Sequence, residues 1–520
     1  MPRAWWQDAV FYQIYPRSFA DANGDGIGDL EGVTAHLDYL RELGIDALWL
    51  SPINPSPLKD WGYDVSDYRD VHPDLGTLAS FDRMLREAHR RGVRIILDLV
   101  PNHTSDQHRW FVESRSSRLG PKRDWYIWRA GKNGDPPNNW KSTFGGSAWE
   151  FDSTSGEYYL HSFLREQPDL NFRNPAVVEA MHEVIRFWLE RGVDGFRVDV
   201  IAQLIKDVEF RDNPEVPAGQ RLSQLERLAY EHRYSSDQPA VHDIVRGFRR
   251  VLDSYRDRMM VGEVWPREQR SLADYLRPDE LQQAFNFRFL FSPWSADAFR
   301  SRIKEVEALL GDAWPTYTLS NHDFPRHLTR YGERDADARA RMAAILLLTM
   351  RGTPFIYYGE EIGMENVAIP QSHQRDPVGR DGCRTAMQWN GSRMGGFTSA
   401  SEAWLPMGDC AAINVEKQLA DPSSMLSLYR RMIQLRKSSR ALSEGSYRSE
   451  PDSPADCLVF HRELGDQHIM VALNFASSSR RIVVPRASIM LSTDRNRTEA
   501  AVTAGITLRP NEGLILDLSN

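Results

Sequence analysis

Cysteine is scarce in this chain, where Cys383, Cys410 and Cys457 are the three among 520 residues. Their spacing matches no metal-binding motif, so reduced thiols and a cytoplasmic protein are expected. No hydrophobic run is long enough to cross a membrane. The N-terminal segment MPRAWWQDAVFYQIY enters a strand-like pattern almost at once, which leaves no room for a signal peptide.

Positive charge is also in short supply, because the formal net charge is −8 at pH 7. Nucleic acid is therefore not an expected partner, since phosphate binding relies on a basic surface. The chain lacks a glycine-rich phosphate loop, a Cys/His metal cage and a G-x-S-x-G nucleophile elbow. These absences argue against the three kinds of chemistry that such motifs support.

Aromatic residues, by contrast, are plentiful, with 15 Trp, 18 Tyr and 22 Phe. Most of them are expected in a large core. Aromatic faces also suit sugar rings, and composition alone does not separate the two uses.

Short apolar runs alternate with amphipathic helical stretches along most of the chain. Helical spacing is clearest in LEGVTAHLDYLRELG (30–44) and FDRMLREAHRRG (81–92). Apolar strands between helices predict a parallel sheet covered on both faces, and eight of them predict an α/β fold, the closed (β/α)8 TIM barrel. The predicted strands are residues 10–19, 44–52, 93–101, 195–201, 258–265, 284–291, 315–323 and 354–361.

Three segments do not fit the barrel pattern, and one of them is an insertion at 362–424, after the eighth strand. Residues 104–171 are too long for a simple loop after the third strand and predict an inserted domain. After a last helix at 425–442, short alternating strands predict a separate all-β sandwich domain at 443–520. The barrel would then comprise residues 1–103 and 172–442.

Carboxylates stand at the ends of several predicted barrel strands, where the chemistry of such barrels takes place. The third strand ends at Asp98, the fourth at Asp199, the fifth at Glu263 and the seventh at Asp323. One such carboxylate is usually a cap or a supporting group, but several at one mouth are costly to bury unless they serve a function. Carboxylate pairs carry out glycoside hydrolysis, in which one protonates the leaving oxygen while the other attacks or activates water.

Arg197 precedes Asp199 by two positions, so both side chains are expected on one side of the strand. The guanidinium would keep Asp199 ionised, as a nucleophile requires. Glu263 is the candidate proton donor.

The stretch DANGDGIGD (21–29) is a candidate metal-binding loop. Its oxygen side chains, Asp21, Asn23, Asp25 and Asp29, are of the type that a hard cation prefers. The stretch is not an EF-hand, because Gly32 stands where the bidentate Glu is required. On these residues alone it is either a metal loop or an Asp/Gly turn.

Four motifs resemble, in order and spacing, the signature regions of the α-amylase family, glycoside hydrolase family 13. They are DLVPNHTS (98–105), GFRVDVI (195–201), GEVW (262–265) and SNHD (320–323). QPDLN (167–171) and RDGCRTAMQW (380–389) are similar to its α-glucosidase and oligo-1,6-glucosidase branch. The resemblance spans nearly the whole chain.

This resemblance implies that Asp199 is the nucleophile, Glu263 the general acid/base and Asp323 the transition-state stabiliser. It also implies that the acidic residue at position 60 pairs with the arginine at position 380 to close the non-reducing end. The implied substrate-binding residues are Asp60, Tyr63, His103, Phe144, Phe163, Gln167, Arg197, Val200, His322 and Arg380.

The resemblance implies a function as well: a retaining, exo-acting α-glucosidase that releases glucose from short α-glucosides such as isomaltose and maltose, with sucrose as a further candidate. A covalent glucosyl-enzyme would form, and the two carboxylates would lie about 5–5.5 Å apart. In this branch a valine directly after the nucleophile, here Val200, accompanies α-1,6 activity, but such a difference is worth only about 1–3 kcal/mol, so activity on both α-1,6 and α-1,4 linkages stays open. The expected partner is thus a small oligosaccharide or glucoside, with no membrane or nucleic acid; the pattern leaves the oligomeric state undetermined.

Two departures from the family pattern leave an alternative open. Ala386 stands where proline is usual, and Trp265 with Pro266 places bulk near the acceptor side. Transfer of the glucosyl unit, as in a transglucosidase or a sucrose isomerase, therefore remains the alternative to hydrolysis. A non-enzymatic transporter subunit is disfavoured, because the three carboxylates are present and a membrane span is not.

For the loop at 21–29, the resemblance decides in favour of a metal site. It implies one structural calcium, with magnesium as the alternative ion, and no organic cofactor. The implied ligands are Asp21, Asn23, Asp25, the carbonyl of Ile27, and Asp29.

Overall fold

The computed structural model describes residues 3–215, 232–265, 271–332 and 335–519. Eight short parallel strands form its central sheet, and a parallel bridge between Phe285 and Thr316 joins the two ends of that sheet into a barrel. The predicted (β/α)8 barrel is therefore confirmed. In chain order the barrel strands are Phe11–Ile14, Ala47–Leu50, Arg94–Leu99, Gly195–Val198, Met259–Gly262, Gln283–Ala284, Thr316–Thr318 and Thr353–Tyr357.

Helices surround the barrel, and several of them bury one apolar face, whereas Ala336–Thr349 is buried on all sides from Ala340 onward. In Leu78–Arg90, for example, Phe81, Met84, Leu85 and Ala88 are buried at helical spacing, and the Thr77 hydroxyl caps the first turn. The longer helices are Leu30–Ala35, Leu37–Leu43, Leu78–Arg90, Arg109–Ser116, Pro175–Glu190, Val241–Asp253, Ala296–Leu310, Ala336–Thr349 and Met425–Ser438. Shorter helices are Trp5–Asp8, Ser271–Asp274, Phe287–Leu290, His327–Tyr331, Val415–Leu419 and Arg440–Ser443. None of the helices in the described ranges has the length and apolar character that a membrane span requires.

The strand predicted at 284–291 is wrong for most of its length. Only Gln283–Ala284 pairs with the preceding barrel strand. The Asn286 side chain then caps a short helix, Phe287–Leu290. Asparagine favours helix N-caps, and this local bond prevails over the alternating phenylalanines that indicate a strand.

A small antiparallel sheet lies within the segment predicted as an insertion. Its strands are Trp128–Arg129, Glu157–Leu160 and Trp149–Asp152, in that order. An antiparallel bridge between His103 and Asp169 joins the start of the segment to its end. The end of the insertion therefore lies directly beside the C-terminal end of the third barrel strand.

After the barrel, a six-stranded and a two-stranded antiparallel sheet pack face to face around their own core. Buried arginines join this part to the barrel: Arg462 donates to the Thr349 carbonyl at 2.6 Å, at the end of a barrel helix. The strands are Ser446–Ser449, Cys457–Leu464, Gln467–Asn474, Arg480–Ile482, Ala487–Ser492, Ala501–Val502, Ile506–Leu508 and Gly513–Asp517.

Candidate active site

Two of the predicted catalytic carboxylates, Asp199 and Glu263, follow barrel strands directly, whereas Asp323 lies five residues after the end of Thr316–Thr318. The Asp199 N–H donates to the Leu99 carbonyl at 2.8 Å, and the Glu263 N–H donates to the Val198 carbonyl at 2.8 Å. The sheet pairing therefore extends to both residues and fixes their backbones. Parallel strands carry these side chains to the same end of the barrel.

One guanidinium joins three carboxylates at this end. Arg197 Nη1 lies 2.6 Å from Asp199 Oδ1 and 2.8 Å from Asp98 Oδ1, and Nη2 lies 2.5 Å from Glu263 Oε2. All four residues are buried. The planar fork of arginine holds the three acids at fixed positions.

Burial raises the pKa of Asp199 well above its usual range, Arg197 opposes that rise, and the charges of Glu263 and Asp98 add to it. Burial likewise raises the pKa of Asp98 to about 6, against the effect of Arg197. The sequence predicted that the guanidinium keeps Asp199 ionised. Arg197 does act in that direction, but desolvation of the buried carboxyl has the larger effect on its pKa.

A second group of ion pairs lies at the opposite side of the barrel mouth. Arg380 is 2.5 Å from Asp60, 3.0 Å from Asp323 and 2.5 Å from Asp376. Arg384 is 3.3 Å from both Asp323 and Asp376. Burial raises the pKa of Asp323, but His322, Arg380 and Arg384 together bring it well below its usual range, so this carboxylate is ionised.

Tyr63 and His322 connect the two groups. The Tyr63 hydroxyl lies 3.0 Å from Asp98 Oδ2 and 2.5 Å from His322 Nε2, and the two rings stack at 5.4 Å. His322 Nε2 is also 3.2 Å from Asp323 Oδ2. Burial lowers the pKa of His322 to about 3, which keeps the imidazole neutral.

The inserted segment contributes a third group of residues to the site. Gln167 Nε2 lies 2.9 Å from Asp60 Oδ2 and 3.1 Å from His103 Nε2. The Phe163 ring packs on His103 at 5.1 Å and on Phe144 at 5.4 Å. Contacts therefore link the predicted substrate residues from the insertion to those from the barrel.

Val200 does not continue the strand, as the predicted strand 195–201 required. The strand ends at Val198, and Val200 has a left-handed backbone with φ of 35°. This conformation is strained for a β-branched residue. The strain directs the Val200 N–H toward Glu263 Oε2, 3.4 Å away.

Trp265 completes the surroundings of Glu263. Its indole N–H donates to Glu263 Oε1 at 2.7 Å, and its ring lies on Phe287 at 4.4 Å with an angle of 4°. The rings of Phe291 and Phe324 pack against the same indole. Pro266, which the sequence placed near the acceptor side, lies outside the described residues.

A family model and several known proteins match this chain. A family model described as "Alpha amylase, catalytic domain" matches residues 13–445, most of the chain. The chain belongs to the α-amylase family. This match confirms the expected family. Its relatives confirm the expected enzyme class, a glycoside hydrolase that resembles α-glucosidases.

Relatives of this α-amylase family member match over nearly its whole length. The oligo-1,6-glucosidase of Parageobacillus thermoglucosidasius is 42% identical over 99% of each chain. The solved structure of XgtA, an α-glucosyl transfer enzyme, has a TM-score of 0.92 at 38% identity and covers 99% of this chain and 100% of its own. The trehalulose synthase MutB of Pseudomonas mesoacidophila MX-45 has a TM-score of 0.91 at 36% identity, with the same coverage.

Some residues of this family member's site had no role predicted from the sequence. Asp98 was noted at a strand end, yet its part in holding Arg197 and Tyr63 was not predicted. Its position beside the conspicuous Asn102-His103 pair was the available signal. Asp376 and Arg384 hold Arg380 and Asp323. Arg384 lies within the motif RDGCRTAMQW (380–389), which was the available signal for it, whereas Asp376 carried none.

The loop at 21–29 is tied together by its own backbone. Asp21 accepts N–H bonds from Gly24 and Gly26, both of which have positive φ. Asp29 caps the following helix by accepting the Gly32 N–H at 2.6 Å. Every predicted side-chain ligand is an oxygen, which fits calcium. The three carboxylates do not converge within 4.8 Å here, so cation binding would require the loop to tighten.

Proposed function

We propose that this protein is a retaining, exo-acting α-glucosidase that releases glucose from the non-reducing end of short α-glucosides such as isomaltose and maltose. The observation that carries the proposal is the sharing of Arg197 among Asp98, Asp199 and Glu263 at the barrel mouth. A retaining glycosidase needs one carboxylate as nucleophile and a second as acid. The identity to an oligo-1,6-glucosidase supports the same conclusion.

In the first step, Asp199 attacks the anomeric carbon while Glu263 gives a proton to the glycosidic oxygen. The glycosidic bond breaks, an ester bond forms between glucose and Asp199, and the second sugar leaves as an alcohol. In the second step, Glu263 takes a proton from water, which attacks the anomeric carbon and frees Asp199. Two inversions leave the product in the α configuration.

The surrounding residues suit one glucosyl ring. Tyr63 offers an aromatic face, and Arg197, His103 and His322 offer polar groups for its hydroxyls. The ion pair between Asp60 and Arg380 closes the mouth at the non-reducing end, which is why exo action is proposed. Phe144, Phe163 and Gln167 line the same side.

The test is hydrolysis of p-nitrophenyl α-glucoside by the Asp199→Ala variant. Loss of a nucleophile is expected to lower kcat by about 10⁴–10⁶-fold. Asp243→Ala, an exposed helical position, is the control and should keep full activity. If NMR of early product shows β-glucose before mutarotation, the retaining mechanism is refuted.

Linkage preference is proposed to depend on Val200, whose backbone contacts Glu263 and whose side chain follows the nucleophile. An apolar side chain at this place is proposed to favour α-1,6 linkages. Initial rates on isomaltose, maltose and sucrose, with products separated by chromatography, test this. A maltose rate above the isomaltose rate would contradict it.

Glucosyl transfer is the second candidate function. It is supported by the aromatic cluster of Trp265, Phe287, Phe291 and Phe324 beside Glu263, and by the structural likeness to XgtA and MutB. Apolar aromatic faces would hold a sugar acceptor in place of water. New oligosaccharides in excess of free glucose, in the same chromatographic assay, would favour transfer over hydrolysis.

We further propose that Asp21, Asn23, Asp25, the Ile27 carbonyl and Asp29 bind one structural calcium ion, or magnesium. Burial raises the pKa of Asp29, and the nearby Asp21 charge adds to this rise, a condition that a bound cation would relieve. Calcium should raise Tm in the wild type and not in Asp25→Ala. An unchanged Tm in the metal-stripped wild type on addition of calcium would refute the site.

A cytoplasmic location is also proposed. All three cysteines are buried free thiols, as is usual in a reducing compartment. Fractionation of the native cells tests this directly.

A further inference from the structure

We propose that the C-terminal domain carries a binding site for a transition-metal ion of the Zn²⁺ class, formed by His461, Glu463 and His468. The site lies outside the candidate active site and does not rest on the proposed function. In the described ranges, these residues form the one group of three His, Cys, Asp or Glu side chains whose ligand atoms all lie within 4.8 Å of one another.

The backbone brings the three side chains together. His461 and Glu463 are two positions apart on the strand Cys457–Leu464, so they share one face of the sheet. His468 lies directly opposite Glu463 on the neighbouring antiparallel strand. A short hairpin turn thus places all three on one surface, and little conformational freedom remains to be lost on binding.

The distances are close to those of a metal site. His461 Nδ1 lies 2.8 Å from His468 Nε2, which in turn lies 3.0 Å from Glu463 Oε1. In a tetrahedral zinc site with bonds of about 2.0–2.1 Å, ligand atoms are about 3.3 Å apart. Small side-chain rotations would therefore open space for an ion between the two imidazole nitrogens, in place of the hydrogen bond that now joins them.

A fourth residue orients the buried imidazole. His461 Nε2 lies 3.1 Å from Glu450 Oε2, so this nitrogen carries the proton and Nδ1 presents its lone pair to His468. A carboxylate bonded to the outer nitrogen of a ligating histidine is a usual feature of protein zinc sites. The Glu450 contact makes the group more than a chance cluster of surface side chains.

Charge and access also suit a divalent ion. Arg448 lies 2.7 Å from Glu463 Oε1, so the two glutamates and one arginine leave a single negative charge beside the two imidazoles. The side chains of His468 and Glu463 are 35% and 36% exposed, which gives an ion a route from solvent. Two imidazole nitrogens and one carboxylate oxygen suit zinc, copper or nickel, whereas calcium prefers oxygen ligands throughout.

The test is titration of the metal-stripped full chain with Zn²⁺ by calorimetry. One equivalent is expected to bind. Glu450→Gln should weaken binding by about 10–100-fold, the usual effect of losing an orienting partner. His468→Ala and Glu463→Gln, which remove ligands, should weaken it further. His373→Ala, at an exposed histidine elsewhere, is the matched control and should bind zinc as the wild type does.

Two outcomes would overturn the proposal. One is the absence of stoichiometric Zn²⁺ binding by the wild type. The other is unchanged affinity in both His468→Ala and Glu463→Gln, with folding verified by circular dichroism, which would place the ion elsewhere. Loss of binding in Asp25→Ala instead would assign the zinc to the N-terminal loop. Anomalous diffraction at the zinc edge should show the ion between His461 and His468.

Discussion

The indole N–H of Trp265 offers the sharpest test of the proposed role of Glu263. It donates to Glu263 Oε1 at 2.7 Å, while the ring lies flat on Phe287. Trp265→Phe removes the donor and leaves an aromatic ring at the same place. The variant therefore separates the hydrogen bond from the packing.

The magnitude follows from the type of bond. An indole N–H can only donate, so it stabilises the ionised form of Glu263. Hydrogen bonds to charged groups contribute about 1.5–3 kcal/mol. Because Glu263, in its proposed role, becomes a carboxylate as it gives up its proton, loss of this bond should slow the hydrolysis of isomaltose by about 10–150-fold.

The assay compares kcat/KM on isomaltose and on p-nitrophenyl α-glucoside. The p-nitrophenolate leaving group needs little protonation, so its rate should fall much less than the isomaltose rate. Phe287→Leu is the control, because it changes the stacking and keeps the N–H; its ratio of the two rates should stay that of the wild type. If Trp265→Phe slows both substrates equally, the indole acts through packing alone and the reasoning is refuted.

Further expectations concern pH, linkage and stability. Burial raises the pKa of Asp199 well above its usual range, so the ionised form of this proposed nucleophile is lost as pH falls, and the acid limb of kcat/KM should lie at a higher pH than an exposed aspartate would give. An acid limb near pH 4, in an enzyme shown to stay folded there, would contradict this. Val200→Thr should shift the ratio of isomaltose to maltose rates toward maltose, which corresponds to a change of about 1–3 kcal/mol in the difference between the two activation free energies. An unchanged ratio would show that the acceptor side decides the linkage preference. Arg462→Met should lower the free energy of unfolding by about 3 kcal/mol or more, because three backbone carbonyls lose their donor. Arg481→Met, at an exposed position, is the control. Equal Tm values for the two variants would refute this expectation.

Local pattern predicted the barrel but not every boundary. The single helix predicted at 30–44 is divided at His36, which leaves the helical conformation. The His36 ring stacks on Trp389 at 3.8 Å, a residue far along the chain. Periodicity within one segment cannot report such a partner, so the helix was predictable and its interruption was not.

In the candidate active site, too, local pattern predicted some contacts and missed others. The spacing of Arg197 and Asp199 predicted their contact, since residues two apart share a strand face. The inclusion of Asp98 depends on sheet register, which places Asp98 opposite Arg197 on the neighbouring strand. The contact between Asp60 and Arg380 joins residues 320 apart, and only the family resemblance indicated it. Sheet register and contacts between residues far apart in the chain are tertiary properties. They cannot be derived from the local pattern of a single sequence.

The charge balance of the site points to the kind of transition state that it stabilises. Six carboxylates meet three guanidiniums there, so negative charge is in excess when all are ionised. The carboxylates are Asp60, Asp98, Asp199, Glu263, Asp323 and Asp376, and the guanidiniums are Arg197, Arg380 and Arg384. The neighbouring His322 is neutral, because burial lowers its pKa to about 3.

Such an excess is costly to bury and adds little to fold stability, since each guanidinium must serve more than one acid. It is complementary to a glucosyl group that carries developing positive charge, the oxocarbenium-like state of glycoside cleavage. In the proposed mechanism, hydrolysis and transfer both pass through that state, because they differ only in the molecule that attacks the glucosyl-enzyme. The carboxylate cluster therefore does not decide between them. We propose that the acceptor side does, where the aromatic rings around Trp265 would determine whether water or a sugar reaches the anomeric carbon.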